Sequence, residues 1–235
     1  MVWRPGDEEP GEPMPARSLP IAAVLDRAAL ARRAGELVAL FVLLPLLIRA
    51  GLVPVPRLVV LAAVAGGAVL VLQDDPDFKV ASLWAGPLAG AWRGLLARAA
   101  VAGLVITVLV LWLDPTRFLA MPRERPVLWL AGLALYPFLS AWPQEVLYRA
   151  FFFRRYAVLF GSRGALVVAS GGAFGLLHVI YPNPVAPLLS VPAGLILAWR
   201  YSRCGTLAPV WLEHALYGLL LFSLGLGNFF YDGRS

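Results

Sequence analysis

The sequence predicts an all-α protein, a polytopic transmembrane bundle of about eight helices, on three observations. Hydrophobic residues make up 60% of the 235 positions and charged residues only 14%, which is far more apolar than a typical soluble domain. The apolar residues occur in long blocks that approach the length of a membrane-spanning helix. Arginines stand at the ends of these blocks, as is usual beside a membrane span.

Composition divides the chain into three parts. Residues 1–33 are expected to form a flexible tail and a basic flank, because the tail is rich in proline and acidic residues and cannot bury enough apolar surface to order itself. Residues 34–113 are expected to form N-terminal transmembrane helices, and residues 114–235 the part that carries the functional site. The basic flank consists of Arg27, Arg32 and Arg33, and the positive-inside tendency places it, with the N-terminus, in the cytoplasm.

Eight helical segments are expected, each near the lower length limit for a membrane span. Their apolar stretches cover residues 37–48, 58–72, 99–113, 127–142, 165–180, 188–199 and 207–224, and a further helix surrounds Glu145. Pro137 is expected to kink the fourth span. The loop with Asp74, Asp75 and Asp77 is interpreted as solvated and not as a cation site, because no second cluster of oxygen ligands follows it.

The net charge of +6 does not indicate nucleic-acid binding. The arginines flank apolar blocks and do not line one polar face, so membrane lipids are the expected partners and nucleic acid is not. The single cysteine, Cys204, excludes an internal disulfide and a multi-cysteine metal site. The sequence does not determine the oligomeric state.

Two charged residues, Glu145 and Arg149, lie inside an otherwise apolar helical pattern. Because they are four residues apart, they share one face of a helix and can form an ion pair. Pro143 fits the start of this helix, where a residue without an N–H group is tolerated. An unpaired charge in a bilayer would be costly, so the pair indicates a functional site; the alternative is an ion pair that only keeps Arg149 in the membrane.

Both histidines of the chain, His178 and His214, lie inside predicted spans that follow the Glu145 helix. Either one alone is more often a hydrogen-bonded packing residue than a catalyst. Together with Glu145 they supply a carboxylate that can accept a proton from water and two imidazoles that can orient the water or stabilise an oxyanion. Two histidines and a glutamate also form many catalytic zinc sites, but the usual helical His-x-x-x-His pair is absent.

At these residues the sequence resembles the CAAX prenyl protease and bacteriocin-processing (CPBP) family of intramembrane proteases, whose relatives include prenyl-protein proteases and bacterial Abi proteins. Its Glu-Glu-x-x-x-Arg block is similar to residues 144–149 (Gln-Glu-Val-Leu-Tyr-Arg), and its Phe-x-x-x-His block to residues 174–178 (Phe-Gly-Leu-Leu-His). Its His-x-x-x-Asn block is similar to residues 214–218 (His-Ala-Leu-Tyr-Gly). The resemblance extends from about residue 127 to the C-terminus, and the order of the blocks makes it specific.

The resemblance implies a CAAX-protease-like helical fold and an intramembrane endopeptidase that hydrolyses a peptide bond in a membrane-associated protein or peptide. In this reading Glu145 activates water, His178 positions it and His214 stabilises the oxyanion. Arg149 fixes Glu145 or binds a substrate carboxylate. No cofactor is expected; the alternative is a divalent metal such as zinc on Glu145, His178 and His214. The expected location is a bacterial cell membrane.

Two residues depart from the family blocks. Gln144 stands where the family usually has the glutamate that activates water, and an amide cannot act as a general base. Gly218 stands where the family has asparagine, which removes a side chain expected to hold the oxyanion; Asn228 either replaces it or is a turn residue. Either Glu145 is the base, or the chain is an inactive relative that acts as a membrane binding protein or small transporter.

Overall fold

Helices form almost all of the chain that the computed structural model describes, which comprises residues 27–76, 78–84 and 92–230. This part contains no strand and eight helices, the fold class and number that the sequence predicted, although two predicted helices form one and the short helix Ala120–Glu124 was not predicted. In chain order they are α1 (residues 27–49), α2 (Arg57–Gln73), α3 (Trp92–Leu113), α4 (Ala120–Glu124), α5 (Pro126–Leu159), α6 (Arg163–Ile180), α7 (Val185–Cys204) and α8 (Ala208–Leu224). Short 3-10 turns lie at Val80–Leu83, Pro115–Arg117 and Gly227–Phe230.

Four helices of the described residues, α3, α5, α6 and α7, are long and apolar enough to cross a membrane, and α2 and α8 are shorter apolar helices. Exposed large side chains along α3, such as Leu104 and Trp112, would be costly in water and suit a lipid environment. The chain is therefore an integral membrane protein with a helical bundle fold. Residues 1–26 of the predicted tail lie outside the described residues. The basic flank that was predicted to follow the tail is part of α1, which begins at Arg27.

The predicted fourth span and the predicted Glu145 helix are one continuous helix, α5, of 34 residues. Two π-helical turns, Pro137–Ala141 and Val146–Phe151, interrupt its α-helical geometry. The first begins at the proline where a kink was expected, and there the Trp142 N–H donates to the carbonyl of Pro137. A wider turn lets a helix continue past a residue without an N–H group. Pro143, which follows this turn, therefore lies inside the helix and not at its start, where it was expected.

An aromatic cluster places the second half of α5 at the centre of the bundle. Phe41 of α1 makes edge-to-face contacts with Tyr148, Phe152 and Tyr156, at ring-centroid distances of 5.1, 5.0 and 5.8 Å. All four side chains are buried. Such pairs add to the stabilisation that comes from burial of the rings, and they hold this part of α5 against α1.

Glycines allow α6 and α7 to pack closely. A β-carbon at Gly171 would lie 2.9 Å from the Cα atom of Leu195, and a β-carbon at Gly194 would lie 2.7 Å from the carbonyl oxygen of Gly171. Backbones can approach this closely only where neither helix carries a side chain at the crossing. The carbonyl of Gly194 is thereby brought to the centre of the bundle.

Polar contacts join the start of α1, which contains the predicted basic flank, to the end of α5. Arg155 binds Glu36 through an Nη2–Oε2 contact of 2.8 Å, and Arg33 donates to the carbonyl of Arg155. In the acidic loop, Asp75 receives two hydrogen bonds from Arg154. The end of α5 and the start of α1 therefore lie on the same side of the membrane, and the assignment of that side to the cytoplasm remains a prediction.

Candidate active site

Glu145 lies at the start of the second π-turn of α5, and its side chain is fully buried. Its Oε2 atom is 3.2 Å from Nε of Arg149, one turn further along the helix. The two atoms form an ion pair, but their alignment is not that of a hydrogen bond, and neither has a hydrogen-bond partner among the described residues. Glu145 therefore keeps one carboxylate oxygen with unused hydrogen-bonding capacity.

Arg149 is held by groups from three helices. Its guanidinium donates to Oγ of Ser170 at 3.0 Å and to the carbonyls of Tyr148 and Gly194, each at 3.3 Å. Its Cζ atom lies 5.1 Å from the centre of the Phe174 ring, a distance at which a cation–π contact is favourable. The side chain is fully buried. This enclosure favours the role in which Arg149 fixes Glu145 over binding of a substrate carboxylate.

His214 of α8 contacts Glu145 across the bundle. Its Nδ1 atom is 2.8 Å from Oε1 of Glu145, although the two residues are 69 positions apart in the chain. A carboxylate accepts hydrogen bonds, so Nδ1 carries a proton and donates it. The other ring nitrogen, Nε2, lies 3.2 Å from the hydroxyl of Tyr136. The result is a row of carboxylate, imidazole and phenol, of which Glu145 and His214 are buried and Tyr136 is partly buried.

Tyr136 is a site residue that the sequence did not reveal. It stands in an apolar stretch of α5 without a motif, where an aromatic residue usually serves packing or the membrane interface. Its ring lies over Gly218, and a β-carbon at that position would overlap the ring. The only signal in the sequence was indirect, namely the glycine at a position where the resembled family has asparagine.

His178 ends the α-helical part of α6, and its ring is held in one orientation. Its Nδ1 atom is 2.8 Å from the carbonyl oxygen of Phe174, and a carbonyl can only accept, so Nδ1 is the donor. This bond leaves Nε2 as the nitrogen with a free lone pair when the ring is neutral. The side chain is buried, with 8% of the residue exposed.

A cavity of about 80 Å³ opens beside His178. Its polar wall includes Gln144, whose Nε2 donates to Oγ of Ser140 at 2.8 Å and whose Oε1 has no hydrogen-bond partner among the described residues. Most of its other lining residues are apolar side chains of α1 and α2, namely Leu40, Leu44, Pro45, Ile48, Leu58, Val60, Leu61 and Val64. Glu145 and His214 are not part of this lining. Position 144, and not position 145, therefore faces the cavity that contains His178.

The structure brings three of the four predicted site residues into direct contact and joins the fourth through a ring. Arg149 and His214 each contact Glu145. His178 is linked to His214 through the ring of Phe174. The Phe174 ring lies 4.9 Å from the His178 ring and 5.2 Å from the His214 ring, between centroids. Within residues 27–76, 78–84 and 92–230 no three His, Cys, Asp or Glu side chains are grouped closely enough to share a metal ion.

Two further polar residues lie outside this cluster. Glu213, next to His214 in sequence, turns to the other side of α8 and accepts hydrogen bonds from Arg98, Arg200 and Tyr217. Asn228 lies on the 3-10 turn after α8 and borders a second, small cavity. Asn228 is thus an exposed turn residue, and the cavity that it borders is not lined by Glu145, His178 or His214.

Comparison with known proteins finds a family similar to the part of the chain that contains this site. Residues 126–220 match the family described as Rce1-like, type II CAAX prenyl endopeptidase Rce1-like. No curated protein and no solved structure gives a significant match. The matched segment runs from the start of α5 to within α8 and includes all four predicted site residues. This segment, which carries the candidate site, is thus similar to the type II CAAX prenyl endopeptidase Rce1-like family, the resemblance that the three sequence blocks predicted.

Proposed function

We propose that this protein is an intramembrane endopeptidase that hydrolyses a peptide bond in a membrane-associated protein or peptide. The contact between Glu145 Oε1 and His214 Nδ1, at 2.8 Å, carries the proposal. It joins α5 and α8 inside the bundle and within the segment that matches the family. A buried carboxylate and imidazole in contact form an acid–base pair of the kind that hydrolases use.

Glu145 is the proposed base. His214 occupies its Oε1 atom, and Arg149 lies beside Oε2 without a hydrogen bond. A buried acceptor that lacks a donor is destabilising, and a water molecule at Oε2 would supply one. In the reaction the water oxygen attacks the carbonyl carbon while its proton passes to Glu145. The same proton then goes to the amide nitrogen as the C–N bond breaks, which releases a carboxylic acid and an amine.

His178 and Gln144 are proposed to hold water and substrate in the cavity. His178 Nε2 and Gln144 Oε1 are acceptors for the hydrogens of water, and both side chains line the cavity. The apolar wall from α1 and α2 suits an apolar chain attached to the substrate. A prenyl group, which the family description names, is of this chemistry. When both ring nitrogens of His214 carry a proton, Nε2, which does not face Glu145, can donate a hydrogen bond to the developing oxyanion.

One observation favours a second candidate, an inactive relative that binds its partner without cutting. The residue at position 144 faces the cavity but is an amide, and the carboxylate of Glu145 is held between His214 and Arg149 outside the cavity lining. In this case the cavity would retain its ability to bind a membrane-anchored peptide. The two candidates differ in whether the parent protein turns over, and in the effect of a glutamate at position 144.

Cleavage of a prenylated, fluorescence-quenched CAAX peptide by purified protein in detergent tests both candidates. Glu145→Gln should lower kcat about 10²–10⁴-fold, the usual contribution of a positioned general base, because the amide keeps the size of the side chain and loses the basic oxygen. Glu124→Gln, which removes an exposed carboxylate, should leave kcat unchanged. Gln144→Glu should preserve or increase turnover, because it restores the family pair.

The outcomes separate cleanly. Equal cleavage by Glu145→Gln and the parent would refute Glu145 as the base. Cleavage by Gln144→Glu alone, with a silent parent, would establish the inactive relative. If none of the forms cleaves the peptide but all bind it, hydrolysis of this substrate class is refuted.

A further inference from the structure

Tyr136 of α5 occupies the space beside the outer face of His214. Its hydroxyl lies 3.2 Å from His214 Nε2, and its ring meets the imidazole edge to face at 6.2 Å between centroids. Phe222, two turns along α8, packs on the same tyrosine ring at 5.6 Å. The hydroxyl is therefore fixed at the ring nitrogen that Glu145 does not hold.

Gly218 and Tyr136 form a complementary pair of a small and a large residue. A β-carbon at position 218 would overlap the atoms Cε1, Cζ and Oη of the Tyr136 ring. Position 218 is one helical turn after His214, so a side chain there would point toward the same space. The Tyr136 hydroxyl thus occupies the space that a polar side chain at position 218 would occupy.

We infer that the Tyr136 hydroxyl is a hydrogen-bond donor to the oxyanion formed during hydrolysis, in place of the side chain that Gly218 lacks. This inference rests on the proposed function. A phenol keeps its proton at neutral pH and its O–H group rotates about the C–O bond. The proton can therefore turn from His214 Nε2 to a substrate oxygen bound beside it. A donor that is already fixed in place stabilises developing negative charge without the reorganisation that solvent would need.

Tyr136→Phe tests the inference, because phenylalanine keeps the ring over Gly218 and removes only the donor. The expected result with the prenylated CAAX peptide is a 10²–10³-fold lower kcat, the usual effect of losing one oxyanion donor, with KM changed little. Tyr217→Phe is the matched control. Its hydroxyl donates to Glu213 on the far side of α8, so this variant should keep the parent kcat.

Moving the donor from position 136 to position 218 gives a second, independent measurement. Tyr136→Ala removes both ring and donor and leaves room at position 218. Adding Gly218→Asn to this variant supplies a new donor from α8 and should raise kcat at least tenfold over Tyr136→Ala alone. Gly218→Leu in the same background fills the space without supplying a donor, so it should leave kcat at the level of Tyr136→Ala, and an equal recovery with leucine would overturn the inference.

The results distinguish this inference from the proposed function. If the parent cleaves the peptide and Tyr136→Phe has the same kcat, the inference is wrong and the hydrolase stands. If the parent does not cleave it, both are overturned. A loss in Tyr136→Phe, retention in Tyr217→Phe and recovery when Gly218→Asn is added to Tyr136→Ala together establish Tyr136 as the donor.

Discussion

The Arg149→Met variant should unfold at a markedly lower fraction of denaturing detergent than the parent protein. Methionine keeps an unbranched apolar stem, but it removes the guanidinium from a fully buried position. The carboxylate of Glu145 then loses its cation, and the Ser170 hydroxyl and the Gly194 carbonyl lose a donor. His214 remains as the one described donor to Glu145.

The size of the effect follows from these contacts. Three hydrogen bonds in a membrane protein contribute on average about 0.6 kcal/mol each, so they account for roughly 2 kcal/mol. Removing one partner of a buried ion pair costs about 3–5 kcal/mol in total, since the remaining charge is uncompensated. We therefore expect a loss of about 3 kcal/mol or more. Adding Glu145→Gln should recover part of it, because the unpaired carboxylate is then gone.

Unfolding can be followed by tryptophan fluorescence as sodium dodecyl sulfate is titrated into protein in a mild detergent. Arg154→Met is the control, because Arg154 pairs with Asp75 at a position where its side chain is 43% exposed, and such pairs contribute at most about 1 kcal/mol. If Arg149→Met unfolds at the same detergent fraction as Arg154→Met, the buried network does not stabilise the fold. If Glu145→Gln does not restore stability to Arg149→Met, the unpaired charge of Glu145 is not the cause of the lower stability.

Three other predictions can be checked with the same protein. Gly171→Ala should destabilise it by about 1–3 kcal/mol through overpacking against α7, whereas the neighbouring exposed Gly172→Ala should be neutral or stabilising, and equal unfolding of the two would contradict the packing described. Single cysteines next to Arg33 and Arg163, in a variant without the native cysteine, should be protected from an external thiol reagent, and labelling of both would reverse the orientation. Purified protein should hold no stoichiometric zinc, and a metal that is present and lost on His178→Ala would make the histidines ligands.

The fold class and the helix positions could be predicted because they depend on local pattern. Apolar blocks with basic ends predict spans wherever they occur, and the Glu145–Arg149 pair follows from helical spacing alone. The continuity of α5 could not be predicted, because a proline is compatible with either a helix start or a π-turn, and only the packing around it decides between them.

The candidate site was predictable as a set of residues but not as an arrangement. Gln144 and Glu145 are adjacent, and successive side chains on a helix point about 100° apart, so they cannot face the same neighbour. A π-turn adds a residue to the helix and shifts this phase again. Which of the two faces the cavity, and which faces His214, is therefore decided in three dimensions.

Composition and spacing within a helix are local properties, and from them the sequence predicted a helical membrane protein whose candidate site residues lie in α5, α6 and α8. The contact of His214 with Glu145, the link from His178 through Phe174 and the position of Tyr136 over Gly218 became known only from the packing of the helices. These contacts join residues that are far apart in the chain. They depend on how the helices are rotated about their axes, which the close fit of large and small side chains sets.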